Sequence, residues 1–265
     1  RRKLVTLRQR IRNVFAGKPS ATPPVSIRLD LWHRAARAEG ALPPEVRGLA
    51  PEEVEDFLGF ARAARFRATP RLCLAKGAIV SETIGRETRT EYRLGSRTLT
   101  RVAVQTEANE RAGIQPHVTQ YPVQTREDCL ALAEALRDAR LEVPAGFEAL
   151  DTATGDRGLP MYILGPCPAH HVMLSFAGYE NFYQLRADWP DEVDALIEAL
   201  DHLMRRDLWP AALASPAELI MHGCHFSTAM TPPRVFERCF LPYFAEFNSR
   251  MHAAGKKVLW HSDAD

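Results

Sequence analysis

Four short stretches hold residue types that can do chemistry. KKVLWHSDAD, residues 256 to 265, runs from an apolar triplet straight into His261, Asp263 and Asp265. These groups bind a metal or move a proton, so His261 and Asp263 are candidate catalytic residues. AELIMHGC (217 to 224) runs into Cys224 and His225, and LPMYILGP (159 to 166) into Cys167, His170 and His171. PPVSIRLD (23 to 30) ends on Arg28 and Asp30. Two imidazoles at neighbouring strand ends, His225 and His261, can reach one ion with Asp263 as a third, hard ligand, and zinc accepts such N, O and S donors, Cys224 included. Arg28 beside Asp30 suits recognition of a carboxylate, since the guanidinium fork matches its two oxygens; a plain ion pair weighs equally. His170 is a candidate substrate contact, although capping a helix or meeting solvent is the ordinary role for at least one of His170 and His171. His222 and Cys224 alternate about Gly223 and so share one strand face, where an inert core cysteine is commoner than a ligand.

The elements that must position these groups read as an α/β alternation. PPVSIRLD reads as a first strand followed by the helical LWHRAARAEG. PEEVEDFLGFARAAR (51 to 65) has proline in its first turn and acids where the helix dipole favours them, which predicts a helix. Residues 71 to 107 alternate apolar and polar side chains around Gly85 and Gly95, predicting a small antiparallel insertion. Helices are predicted at 125–141, 189–209 and 231–255, the last bent at Pro242 and capped by Gly255, with strands at 159–166, 217–224 and 256–263. GxGxxG after the first strand and GxxxxGK[ST] are both missing, which disfavours nucleotide folds. The pattern predicts a (β/α)8 TIM barrel whose active site gathers at the carboxyl ends of its strands. Only five or six parallel strands are counted, so the C-terminal strands are expected beyond Asp265, and the non-Met first residue is taken as trimming.

Composition narrows the partners. The 265 residues carry 34 Lys and Arg against 33 Asp and Glu, a net charge of +1, which gives no global field for nucleic acid or an acidic membrane. The opening RRKLVTLRQRIRNVF carries Leu4, Leu7, Ile11, Val14 and Phe15 at helical spacing, predicting a solvated first helix. Between Gly158 and Gln184 the one formal charge is Glu180, but Pro160, Pro166 and Pro168 interrupt any span. Five cysteines without a CxxC pair suggest neither a disulfide framework nor a zinc knuckle, and with no signal peptide the expected location is the cytoplasm.

Several of these stretches together resemble the uroporphyrinogen decarboxylase superfamily. They are GKPSATPPVSIRLD with its arginine, ILGPCPAHHVML, the D-W-P-D-E-V helix, and ELIMHGC through HSDAD. The last is the most specific: Thr231-Pro232-Pro233 through Phe236, Phe240 and Pro242 follow the family's S/T-P-x-x-F-x-x-F-x-x-P helix. His252-Ala253-Ala254-Gly255 follows its x-H-x-x-G ending, and His261-Ser262-Asp263 stands where a strand closes on H-S/T-C-G. The resemblance implies one TIM-barrel domain over residues 1–265 and two activities. One branch comprises zinc-dependent methyltransferases that move a methyl group between a methylated small molecule and a corrinoid on a partner protein, with a metal-binding His that matches His261. Here an oxygen ligand, Asp263, replaces the expected thiol, and His225 lies near an expected Glu position. The other branch decarboxylates a tetrapyrrole, uroporphyrinogen, without a cofactor; its R-Q-x-G-R motif is reduced to IRLDLW, keeping Arg28, and its Asp has no counterpart in RLCLAKGAIVSE. The methyltransferase is the preferred expectation, with the decarboxylase or a non-catalytic binding barrel as alternatives.

Overall fold

A computed structural model describes residues 5–18, 22–224 and 226–262, and for Cys224 the backbone alone. Helix α1, Leu7–Phe15, starts on Thr6, whose hydroxyl accepts from the Gln9 N–H. None of its residues is buried, as its interleaved cations predict. It is tied down by charge: the Arg8 guanidinium donates to Gly158 O at 2.9 Å and to Asp151 at 2.7 Å, and Arg12 pairs with Glu218.

The next stretch departs from the expected strand. Residues 23 to 29 belong to no helix or sheet, and a hydrogen bond from Ala61 N to Val25 O joins them to the segment before β1. Pro23 and Pro24 bring no N–H with which to extend a ladder. Helix α2, Asp30–Ala38, starts at Asp30 itself. Helix α3, Pro51–Phe57, has the predicted proline and acidic first turn, and the Glu53 carboxylate accepts from Ala50 N–H at 2.7 Å. It stops well short of residue 65, because the chain then becomes strand β1, Arg65–Arg67, followed by β2, Arg71–Cys73.

The insertion starts and ends later than the alternation suggested. Strands β3 (Ala78–Ile84), β4 (Glu87–Leu94) and β5 (Arg97–Val104), then α4 (Glu107–Ala112) and β6 (His117–Gln120), give an antiparallel sheet in the order β3-β4-β5-β6. Two-residue turns opened by Gly85 and Gly95, at φ +60° and +64°, join its first three strands. Helix α5, Arg126–Arg137, starts from a reciprocal cap between Thr125 and Asp128 and buries Cys129, Leu132, Ala133 and Leu136. Leu141, assigned by periodicity to that helix, belongs to β7, Arg140–Glu142, which pairs antiparallel with β2.

The second half is regular. Helix α6 (Phe147–Thr154) precedes β8 (Met161–Gly165). Helices α7 (Pro168–His171), α8 (Tyr179–Asp188), α9 (Pro190–Leu203) and α10 (Trp209–Ala214) lead to β9 (Leu219–Cys224). Two π-helical turns, Val172–Ala177 and Met204–Leu208, interrupt that helical run. Helices α11 (Pro233–Cys239) and α12 (Leu241–Ala253) break at Phe240 beside Pro242 and lead into β10, Lys257–His261.

Strands β1, β8, β9 and β10 form one parallel sheet in that order. Spatial order follows chain order with no reversal, unlike a doubly wound sheet. Four parallel strands stand where five or six were expected, and among the described residues the sheet is open. The fold is therefore mixed α/β. Its core lies between the sheet and the helices: Tyr162, Leu164 and Ile220 meet Leu196, Leu200, Phe244 and Phe247, each nearly or wholly buried. Burying each such side chain stabilises by roughly 1.5–3 kcal/mol.

Candidate functional site

Parallel strands that follow one another in chain order share one carboxyl end, where the sheet's edge meets the βα loops. At that end His261 of β10 and Cys224 of β9 are ladder partners. A register shift between the Leu259–Met221 and His261–Cys224 pairs, with two residues of β9 opposite one of β10, sets these two backbone positions side by side on adjacent strands. His225 and Asp263 lie outside the described residues, as does the side chain of Cys224. Among the described residues no three His, Cys, Asp or Glu side chains form a group able to hold a metal ion.

Beneath this pair runs a buried hydrogen-bonded chain. His222 of β9 is fully buried, with Nδ1 2.9 Å from Gly165 O and Nε2 2.8 Å from Tyr243 Oη. A carbonyl only accepts, so Nδ1 carries the proton and Nε2 accepts from the Tyr243 hydroxyl. Trp209 Nε1–H donates to that same oxygen at 2.8 Å. Burial pushes the imidazole down to about 4 and raises the Tyr243 phenol well above its usual value, so every member is neutral at pH 7. The chain ties the ends of β8 and β9 to α10 and α12. It is a structural device that periodicity could not reveal. Gly223, at φ +86°, departs from the regular pleat between His222 and Cys224.

His170 and His171 part company at α7. His170 is fully buried, its ring stacked on Phe226 with centroids 5.0 Å apart and edge-on to Phe240, with Nε2 3.4 Å from Thr231 Oγ1. No open surface reaches it, so a substrate contact there requires the aromatic cluster to open. His171 turns the other way, with its ring 5.1 Å from that of Phe176. It lines an apolar cavity of about 270 Å³ between the ends of β1 and β8, the insertion and the helical layer. Burial alone pushes this imidazole down to about 4. His170 meets no solvent, whereas His171 is part-exposed within the cavity. The signal in sequence was their adjacency, which puts neighbouring helix positions about 100° apart on different faces.

Arg28 and Asp30 lie elsewhere. Their side chains form a two-point pair at 2.8 and 3.0 Å that holds the Asp30 carboxyl below its usual range. They line a cavity of about 450 Å³ along Arg62 to Arg67, walled by Leu150, Ala153 and Thr154 of α6. Because α6 runs back to the start of β8, those C-terminal residues mark the amino end of the sheet, opposite His261. The same cavity holds Arg65, whose buried Nε has no hydrogen-bond partner. Burial is the main cause lowering the Arg65 pKa, reinforced by repulsion from Arg28 and Arg67 and opposed by Asp30. Asp30, Glu52 and Glu55 share this lining with Arg28, Arg62, Arg65 and Arg67. The structure thus brings Cys224 and His261 together and leaves Arg28, Asp30 and His170 apart from them.

No family model matches the chain, and no curated protein matches it. Among solved structures it is similar to a methyltransferase from Methanosarcina mazei, at 14% identity and a TM-score of 0.48, over 98% of this chain and 70% of that one. At that distance the likeness does not define an activity.

Proposed function

We propose that the protein is a zinc-assisted methyltransferase of the uroporphyrinogen decarboxylase type, moving a methyl group between a methylated small molecule and a corrinoid carried by a partner protein. The observation that carries this reading is the ladder pairing of His261 with Cys224 at the carboxyl end of the sheet. It sets nitrogen and sulfur donors on adjacent strands, and His225, next in chain to Cys224, would add a third ligand to a set suited to zinc. Zinc bound there supplies Lewis acidity to the heteroatom that loses its methyl group. The protein's own residues hold and orient: the His222–Tyr243–Trp209 chain fixes the end of β9, and Asp263 is the group assigned to hold a proton beside His261.

A (β/α)8 barrel is the architecture we assign, because β1, β8, β9 and β10 are parallel and their order in the sheet follows chain order. Among the described residues Cys73, Cys129 and Cys239 form no disulfide, in keeping with the cytoplasmic setting we propose. Among the described residues no helix is long and apolar enough to cross a membrane. Decarboxylation of a porphyrinogen is disfavoured, since Arg28 is engaged by Asp30 and sits at the other end of the sheet.

Metal analysis of the full chain tests the reading. Wild type is expected to hold close to one zinc, to lose it in His261→Ala, and to show a thiolate-to-cobalt absorption band when loaded with Co(II), absent in Cys224→Ser. A metal-free wild type overturns the proposal. So does conversion of uroporphyrinogen without any corrinoid.

A further inference from the structure

We propose that the cavity at the carboxyl end of β8, roofed by the insertion, binds a small neutral molecule with a flat apolar body and one polar group that hydrogen-bonds His171. Four observations converge on it. The walls are mainly apolar, with Ile79 and Tyr92 from the insertion facing Leu164, Phe176 and Leu200 across about 270 Å³, and with Thr69, Arg71 and His171 as the polar side chains of the lining. Water is held well where it finds two to four polar partners, and most of this surface offers none. Displacing poorly held water with an apolar ligand is favourable.

The second observation is the polar group. No hydrogen bond is formed by the ring nitrogens of His171 among the described residues, and its neutral imidazole offers one donor and one acceptor to an occupant. An ion gains little here, because the nearest charge, Arg71 at the rim, is already paired with Glu142. Third, both π-helical turns among the described residues face this space: Phe176 comes from one, Met204 and Leu208 from the other. Such turns widen a helix locally, and they recur at functional sites. Fourth, Gly165 and Pro166 place the cavity at the carboxyl end of the parallel sheet, the end at which such sheets bind ligands. Tyr92 meets Phe176 edge-on at 5.9 Å, so the insertion packs over the cavity and forms part of its wall.

As the methyl carrier of the proposed transfer, the occupant rests on that reading; as a ligand it does not. The test is equilibrium binding of indole and phenol to the full chain, with benzoate and benzylammonium as charged counterparts of similar size. Saturable binding of a neutral probe is expected, at least tenfold tighter than either ion. Ile79→Trp, which fills the cavity from the insertion side, should abolish it, and His171→Phe should weaken it about tenfold while leaving the fold intact by circular dichroism. His261→Ala should bind the neutral probe as wild type does. Failure of wild type to bind either neutral probe, or equal binding of the ions, overturns the inference and leaves the zinc reading standing. Binding by a protein that takes up no zinc removes only methyl transfer.

Discussion

Tyr243 Oη stands 2.8 Å from His222 Nε2 and 2.8 Å from Trp209 Nε1, so one phenol satisfies two buried ring nitrogens from different elements. Tyr243→Phe removes that oxygen and strands both. The expected loss is about 2–4 kcal/mol, combining two unsatisfied groups of roughly 1–3 kcal/mol each with partial relaxation. Urea unfolding of the variant measures it, and a change below about 0.5 kcal/mol would contradict the hydrogen-bonded chain.

His222 and His171 are both pushed down by burial to about 4, against an ordinary value near 6.5. As pH falls through 6.5 the unfolded chain takes up these protons first, while the folded chain holds both rings neutral until about 4. Stability contributed by each is therefore complete above about 6.5, declines between 6.5 and 4, and levels below that. His171→Phe should reduce the slope in this window by one proton, about 1.4 kcal/mol per pH unit. Carboxylates cancel in the difference. Equal slopes for the two proteins would show that His171 titrates normally in the fold.

Gly223 combines a left-handed backbone with no room: a Cβ built there would lie 2.7 Å from Phe244 and 2.9 Å from Phe226. Gly223→Ala should cost more than about 1 kcal/mol through strain and repacking. Because the residue adjoins Cys224, zinc uptake should fall as well. A variant with wild-type stability would mean that the end of β9 adapts freely.

Helix α1 buries none of its own residues and is tied down through Arg8 and Arg12. Arg8→Ala should loosen it by about 1 kcal/mol, since the pair is only part-buried. Faster proteolysis between residues 15 and 30, reproduced in wild type by high salt, is the expected readout. Identical digestion of both would assign the anchoring to other contacts.

Arg65 is a partly buried cation without an ion pair among the described residues, beside Arg28 and Arg67. Replacing an uncompensated charge by an apolar side chain of similar length is often stabilising. Arg65→Met should raise the melting temperature, and phosphate should stabilise wild type more than the variant. A lower melting temperature in Arg65→Met, with unchanged phosphate response, would show that the guanidinium supports the fold.

Much of the architecture was legible because it rests on local rules. The capped start of α5 at Thr125, the proline-led starts of α3 and α9, and the glycine hairpin turns each follow from one residue's backbone preference. Strands β8, β9 and β10 were readable as apolar runs closed by Gly, Cys or His. The 23–29 segment was misread because strand propensity does not provide a neighbour with which to pair. The end of the 51–65 helix failed for a similar reason: Arg65 to Arg67 are held by pairing with β8, a partner about 96 residues away in sequence.

What sequence determined by itself, then, was the alternation of elements and which chemically able residues end the last strands, since both depend on neighbours in the chain. Only tertiary structure decided which of those residues meet. An extra residue in β9 opposite β10 sets His261 against Cys224, a left-handed Gly223 lies within that bulge, and α7 sends His170 into an aromatic core while His171 faces a cavity. Arg28 and Asp30, similar in type to the others, fall at the opposite end of the sheet. Side-chain chemistry is written residue by residue, but proximity arises from pairing register and helix packing, which join segments far apart in the chain.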